Sequence, residues 1–222
     1  MAPKRSYADG CATAYALDIM GERWGLLIVR ELLLGPKRFT DLRLDLPGMS
    51  PTVLAQRLRE FIRADVVRHR RLPPPTPSHV YELTEWGYKL DPVIQSLGTW
   101  ALQSPDPPRT PPQSVDANVL SLRVMFDPVA AEGRTVRFGL HVDERRYQVC
   151  VVAGELHLAR GEVDAPDATI DTNIATLHAY LCRARSLRDS LECGDILVRG
   201  NMAAVAELPT LFRPIRHRTR TA

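Results

Sequence analysis

A Pro-Gly turn between two amphipathic helical patterns sets the strongest constraint on this chain. Leu46-Pro47-Gly48-Met49 cannot continue a helix, and Ser50-Pro51 restarts one at once. Ser is a preferred N-cap, and Pro is tolerated at the first helical position because that amide is unpaired anyway. Leu54, Leu58 and Phe61 then recur at helical spacing and are predicted to be buried, which leaves Thr52, Gln56, Arg59 and Arg63 on the opposite face. Upstream, Ala12 to Met20 and Arg23 to Leu34 read as helices, the second stopped by Gly35-Pro36, and Phe39 to Leu44 as the first helix of the turn unit. Downstream, Val66 to Leu72 and His79 to Leu83 read as strands around the proline-rich tip Pro73 to Ser78. Thr84-Glu85 is predicted to cap a long helix, Trp86 to Gln103, with Leu90, Val93, Ile94, Leu97 and Trp100 along one stripe. Helix, helix, second turn helix, two-strand wing and closing helix make a mainly-α winged helix-turn-helix.

The face of the second turn helix has the chemistry of a major-groove reader. Arg forks onto guanine, Gln onto adenine, and Thr touches a thymine methyl or a phosphate. The candidate DNA-contacting set is Arg38, Thr40, Ser50, Thr52, Gln56, Arg57, Arg59, Arg63, Arg68, Arg70 and Arg71. Of these, Arg38, Arg68, Arg70 and Arg71 are better placed for phosphates, which orient without specifying. Charge supports a local polyanion surface. The chain carries +3 overall, and residues 1–104, with 14 Lys/Arg against 11 Asp/Glu, hold all of that excess. Within residues 50–71 six Arg face only Glu60 and Asp65.

The run Ser104 to Gln113 has five prolines in ten residues, which suits neither helix nor inner strand. It divides the chain into residues 1–103, a linker at 104–114, and a second domain at 115–222. In that domain Val119 to Phe126, Thr135 to Val142, Tyr147 to Val152, Leu156 to Ala159 and Ala168 to Asp171 read as strands of an antiparallel sheet. Thr172 to Leu181 and Met202 to Phe212 read as helices, with Ile196 to Arg199 a last strand, so the prediction is α+β with strands first and helices late. An apolar set there is a candidate ligand pocket: Leu122, Val124, Phe138, Leu140, Val149, Ile174, Leu177 and Leu181. In sequence an apolar pocket and an ordinary core are indistinguishable.

Catalysis finds no support. No Gly-x-Ser-x-Gly elbow, phosphate loop or Gly-x-Gly-x-x-Gly is present, and the six histidines lack ligand spacing, so neither a cofactor nor a metal is expected. Four scattered cysteines make neither a disulfide framework nor a zinc pattern. The N-terminus leads into no secretory apolar segment, and the run Trp24 to Gly35 is too short to span a bilayer; a cytoplasmic protein without a membrane partner is expected.

Residues 8–102 resemble the HxlR family of bacterial winged-helix regulators. The stretches that carry the likeness are Cys11 to Asp18, Gly21-Glu22-Arg23-Trp24-Gly25 to Leu32, Arg38 to Leu42, Leu46 to Pro51, Leu54 to Leu58 and Tyr81-Glu82-Leu83-Thr84-Glu85-Trp86-Gly87. This resemblance implies a homodimer on double-stranded DNA, with the first and last helices of the domain as the dimer surface. It also makes Cys11 a candidate redox thiol, because some relatives use a cysteine at this position as a switch. Two departures stand out: Ala12 follows Cys11 where a proline is frequent, and the wing tip lacks Arg or Lys. Residues 116–213 look, more loosely, like a sterol carrier protein type 2-like domain, through Ala165 to Thr172, Leu187 to Leu191 and Gly194 to Asn201; Arg183-Ala184-Arg185 is a departure, since a glycine is usual near Arg183. That resemblance implies an apolar small-molecule effector in the second domain. The expected protein is a dimeric transcriptional regulator modulated by such an effector. Two alternatives are a lipid carrier whose winged helix mediates protein contacts, and a thiol-based redox regulator.

Overall fold

Ser50 decides where the second turn helix begins: its side chain accepts the Val53 amide at 3.2 Å, and Pro51 follows in the first turn. The computed structural model describes residues 6–73, 78–106 and 114–213. The chain forms two compact units, Met1–Leu97 and Gly98–Ala222. The division lies upstream of the proline-rich run, of which residues 107–113 are outside the described residues, as are 74–77 at the wing tip and the basic tail from 214.

Unit 1 contains α1 (Ala12–Met20), α2 (Gly25–Leu32), α3 (Phe39–Asp45), α4 (Pro51–Arg63), β1 (Val67–Arg71), β2 (His79–Leu83) and α5 (Glu85–Tyr88), followed by α6 (Asp91–Leu102), which runs through the division. Ile28, Val29, Leu32, Leu42, Leu54, Leu58, Phe61, Val67 and Leu83 form its core. Gly48 has φ +87°, a left-handed turn that suits glycine. Trp24 lies over that turn, 3.8 Å from where a Gly48 Cβ would sit. Strands β1 and β2 pair antiparallel from Val67↔Leu83 to Arg71↔His79.

The predicted closing helix is broken. Thr84 caps only α5, accepting the Gly87 amide at 3.0 Å, and α6 begins afresh at Asp91. Pro92 is the reason: inside a continuous helix it would remove one hydrogen bond and press its ring on the carbonyl four residues back. The apolar stripe is not buried within the chain. No residue of α6 is buried, and Val93, Leu97 and Trp100 are 51%, 47% and 71% exposed.

Unit 2 opens on a helix, α7 (Val115–Met125), where a strand was expected over Val119 to Phe126. Ser114 caps it by accepting the Ala117 amide at 3.0 Å, and Val119, Leu122 and Met125 bury one side at three-residue spacing. Then come β3 (Val136–Val142), β4 (Arg145–Val152), β5 (Glu155–Arg160), β6 (Ala168–Thr172), α8 (Ile174–Leu181), α9 (Leu187–Glu192), β7 (Ile196–Gly200), α10 (Met202–Glu207) and a 3-10 turn at Leu208–Leu211. The sheet order is β5-β4-β3-β6-β7. It is mixed and not purely antiparallel, because β3 and β6 run parallel. The unit is α+β, but helices both precede and interrupt the strands. The predicted last helix covers Met202–Glu207 only, since Pro209 turns the chain into the tighter 3-10 form. Phe138, Leu140, Tyr147, Val149 and Ile170 bury the inner sheet face. Below them Asp116, fully buried, accepts the Tyr147 hydroxyl at 2.5 Å and ion-pairs with Arg160 at 3.0 Å and Arg145 at 3.4 Å.

Candidate nucleic-acid interface

Helix α4 separates its two faces as the spacing predicts. Leu54, Leu58 and Phe61 are buried, while Thr52, Gln56, Arg59 and Arg63 are all exposed. At 100° per residue these four positions stay within one narrow sector, so they form a row along the solvent side. Among the described residues no carboxylate lies in ion-pair range of Arg59 or Arg63, so both guanidiniums stand open. The Gln56 amide donates to Glu60 Oε1 at 3.0 Å, an exposed bond that a base edge can replace.

Arg57 does not stand on that row. Its guanidinium holds Glu60 at 2.5 Å and Glu22 at 3.2 Å, and its side chain is 17% exposed. The geometry makes it a brace between α4 and the segment before α2. Ser50 is exposed, but its hydroxyl is the helix cap. Arg38 and Thr40 are exposed at the start of α3, where the Arg38 amide donates to Asp41 Oδ2 at 3.2 Å.

In the wing, alternation along the paired strands puts Arg68 and Arg70 on one face and His69, Arg71, His79 and Tyr81 on the other. Glu82, a residue the sequence reading passed over, draws in two of the three arginines: its carboxylate meets Arg68 Nε at 2.6 Å and Arg70 Nη2 at 2.9 Å. Arg71 remains exposed. On its face His69 stacks on His79 with ring centroids 5.0 Å apart and lies 4.8 Å from Tyr81. The cross-strand register was the one signal that could have revealed both features.

The elements that aim α4 are fixed by a buried charge cluster, also unread in the sequence. Lys37 Nζ meets Glu31 Oε2 at 2.7 Å and Asp45 Oδ2 at 2.5 Å, and Arg30 holds the other Glu31 oxygen at 2.7 Å. The Lys37 backbone pairs with Tyr81 of the wing. One lysine therefore ties α2, the end of α3 and β2 together.

Cys11 is the N-cap residue of α1 and is exposed. Backbone N–H groups of Ala14 and Thr13, then the Thr13 side chain, hold its thiol below the ordinary value. The other cysteines are free thiols as well. Cys150 sits on the outer sheet face, and burial pushes its thiol up.

The candidate ligand set in unit 2 packs together. Leu122, Phe138, Leu140, Val149, Leu177 and Leu181 surround a gap of about 10 Å³ alongside Ile170, Leu208 and Phe212. That is room for roughly one water. Val124 and Ile174 do not line it. The expected apolar pocket is a closed core in this structure. No described helix is long and apolar enough to cross a membrane.

Comparison with known proteins places the first part of the chain in a family. The profile of the HxlR-like helix-turn-helix family matches residues 19–107. The HTH-type transcriptional regulator YodB of Bacillus subtilis is 37% identical over 92 residues, which are 41% of this chain and 82% of YodB. YvaP of the same organism, also an HTH-type transcriptional regulator, is 40% identical over 93 residues, covering 41% and 85% of the two chains. Among solved structures, the reduced form of YodB aligns with 44% of this chain and 97% of its own at 35% identity and a TM-score of 0.40. The chain belongs to the HxlR-like helix-turn-helix family of transcriptional regulators.

Proposed function

We propose that the protein is a homodimeric, cytoplasmic, bacterial regulator that reads operator DNA with the Thr52, Gln56, Arg59 and Arg63 row of α4. The observation that carries this reading is that row itself: four exposed groups able to meet base edges, on a capped helix braced by Arg57, beside a basic wing. One such helix reaches only a few base pairs, so two copies over half-sites roughly 34–36 Å apart are expected. Tyr15 and Leu17 on α1 and Val93 and Leu97 on α6 support dimerisation, because large apolar side chains are left 46–61% exposed on those helices. Arg38 and Arg71 are assigned to phosphates, with Arg68 and Arg70 joining when DNA competes for them with Glu82.

Unit 2 is assigned to small-molecule sensing on its sterol-carrier-like sequence stretches. An effector acts only if it binds one arrangement of the regulator better than the other. Fluorescence anisotropy against the protein's own upstream region and a random duplex, at two salt concentrations, tests the reading. Tight, sequence-selective and salt-sensitive binding is expected. Equal weak binding to both duplexes would refute it and favour a carrier role for unit 2. A thiol switch at Cys11 is a second reading, favoured by its exposure and lowered thiol pKa.

A further inference from the structure

We propose that unit 2 binds an amphipathic monocarboxylate in a surface cleft anchored by Arg134; this rests on reading unit 2 as the sensing part of the regulator. The apolar interior has a gap of only about 10 Å³, whereas the cleft, open to solvent, offers about 360 Å³. The larger figure falls within the roughly 300–1,000 Å³ of small-molecule sites. The cleft lies between the start of β3 and α10. Val136, Phe138, Ala204 and Leu211 give it an apolar wall, and Arg134, Glu207 and Asp167 are its charged residues.

The polar groups sort by availability. Asp167 Oδ2 accepts the Arg137 amide at 2.7 Å, and its carbonyl accepts the Asn201 amide at 2.8 Å. The Asn201 side chain caps α10 through the Ala203 and Ala204 amides. These groups serve the fold. Arg134 is different: Nη1 meets Glu207 Oε2 at 3.2 Å and Thr210 Oγ1 at 3.4 Å, while among the described residues Nε and Nη2 have no partner. That edge of the guanidinium is the fork that takes a carboxylate with two parallel hydrogen bonds. Among the described residues Arg134 is also the sole cation on the cleft wall. Its existing pair is exposed at both ends, 42% and 68%, and such pairs are weak enough for a ligand to displace. An alkyl or aryl body then covers Val136 and Leu211. Phe138 borders both the cleft and the closed interior, so a chain lying in the cleft rests on the ring that separates them.

The test is calorimetric titration of the full-length protein with octanoate, octylamine and 1-octanol, repeated on Arg134→Gln and Glu207→Gln. Octanoate is expected to bind one per chain and more tightly than the amine or the alcohol. Arg134→Gln is expected to weaken it by about tenfold or more, and Glu207→Gln to tighten it by releasing the guanidinium. Both side chains are exposed, and matched thermal melts would confirm folding. Absence of octanoate binding, preference for octylamine, or an Arg134→Gln affinity equal to wild type would each overturn the proposal. Operator binding measured without ligand keeps the two ideas apart. Selective DNA binding without octanoate binding sinks the cleft alone; Arg134-dependent octanoate binding without selective DNA binding sinks the regulator reading alone.

Discussion

Replacing Lys37 with Met removes one charge and keeps most of the side-chain volume, so the loss isolates electrostatics from packing. The Lys37, Glu31 and Asp45 side chains are 2%, 0% and 6% exposed, and Lys37 contacts both carboxylates within 2.7 Å. Glu31 keeps Arg30 in the variant, whereas Asp45 loses its 2.5 Å contact with the ammonium. Removing one partner of a buried ion pair costs about 3–5 kcal/mol. Met restores the apolar contacts of the stem, and a net loss of about 3 kcal/mol is expected. For a unit of this size that lowers the thermal midpoint by on the order of 10–20 °C. Urea unfolding followed by tryptophan fluorescence is the assay, since Trp24 and Trp86 lie in unit 1. Lys37→Met/Asp45→Asn, which removes both charges of the pair, should lose less than the sum of the single variants by roughly 1–3 kcal/mol. A Lys37→Met protein within about 0.5 kcal/mol of wild type, or strictly additive losses, would refute the reasoning.

Three further outcomes follow from the site. Glu82→Gln releases Arg68 and Arg70 to phosphate, so DNA affinity should rise at low salt and the log–log salt slope should steepen by about one to two; an unchanged slope would mean those arginines never meet DNA. The Cys11 thiol is held down by amides at the start of α1, so its thiolate persists to lower pH than an ordinary thiol's. Its alkylation by iodoacetamide should therefore have a pH midpoint below that of Cys11 in the unfolded chain, and a midpoint at or above that reference counts against it. If oxidant alters DNA binding, Cys11→Ser should abolish the response. Gly87→Ala puts a Cβ 2.2 Å from the Val66 carbonyl, where backbone must move, and should cost about 1–3 kcal/mol or more in the same urea assay; a neutral result would contradict the packing of α5 against the residue that leads into β1.

Much of unit 1 was legible because its signals are local. Ser50-Pro51 and the four-residue recurrence of Leu54 and Leu58 mark α4, and the turn at Gly48 has one natural residue. The break before α6 was also written locally, in Pro92, but the apolar stripe masked it. Apolar spacing announces a face to be covered without saying whether the chain itself covers it. In α7 the alternation Leu120-Ser121-Leu122-Arg123-Val124 imitates a strand, while the Ser114 cap that decides for helix lies six residues earlier. The parallel pairing of β3 with β6 joins segments some thirty residues apart, beyond any local pattern. The destinations of Arg57, Arg68 and Arg70 depend on partners supplied by other elements, and composition counts charges without saying which are already paired. The closed interior of unit 2 shows the same limit, since packed leucines and cavity-lining leucines are spelled alike.

The most direct test of the account is the affinity of wild type, Gln56→Ala and Arg59→Ala for one specific operator and for a random duplex, by fluorescence anisotropy at fixed salt. Each substitution is predicted to cost about 1–3 kcal/mol on the operator and to change random-duplex binding far less, because a base contact specifies where a phosphate contact only holds. Wild-type affinity for the operator in both variants would contradict the assignment of this α4 face as the reader.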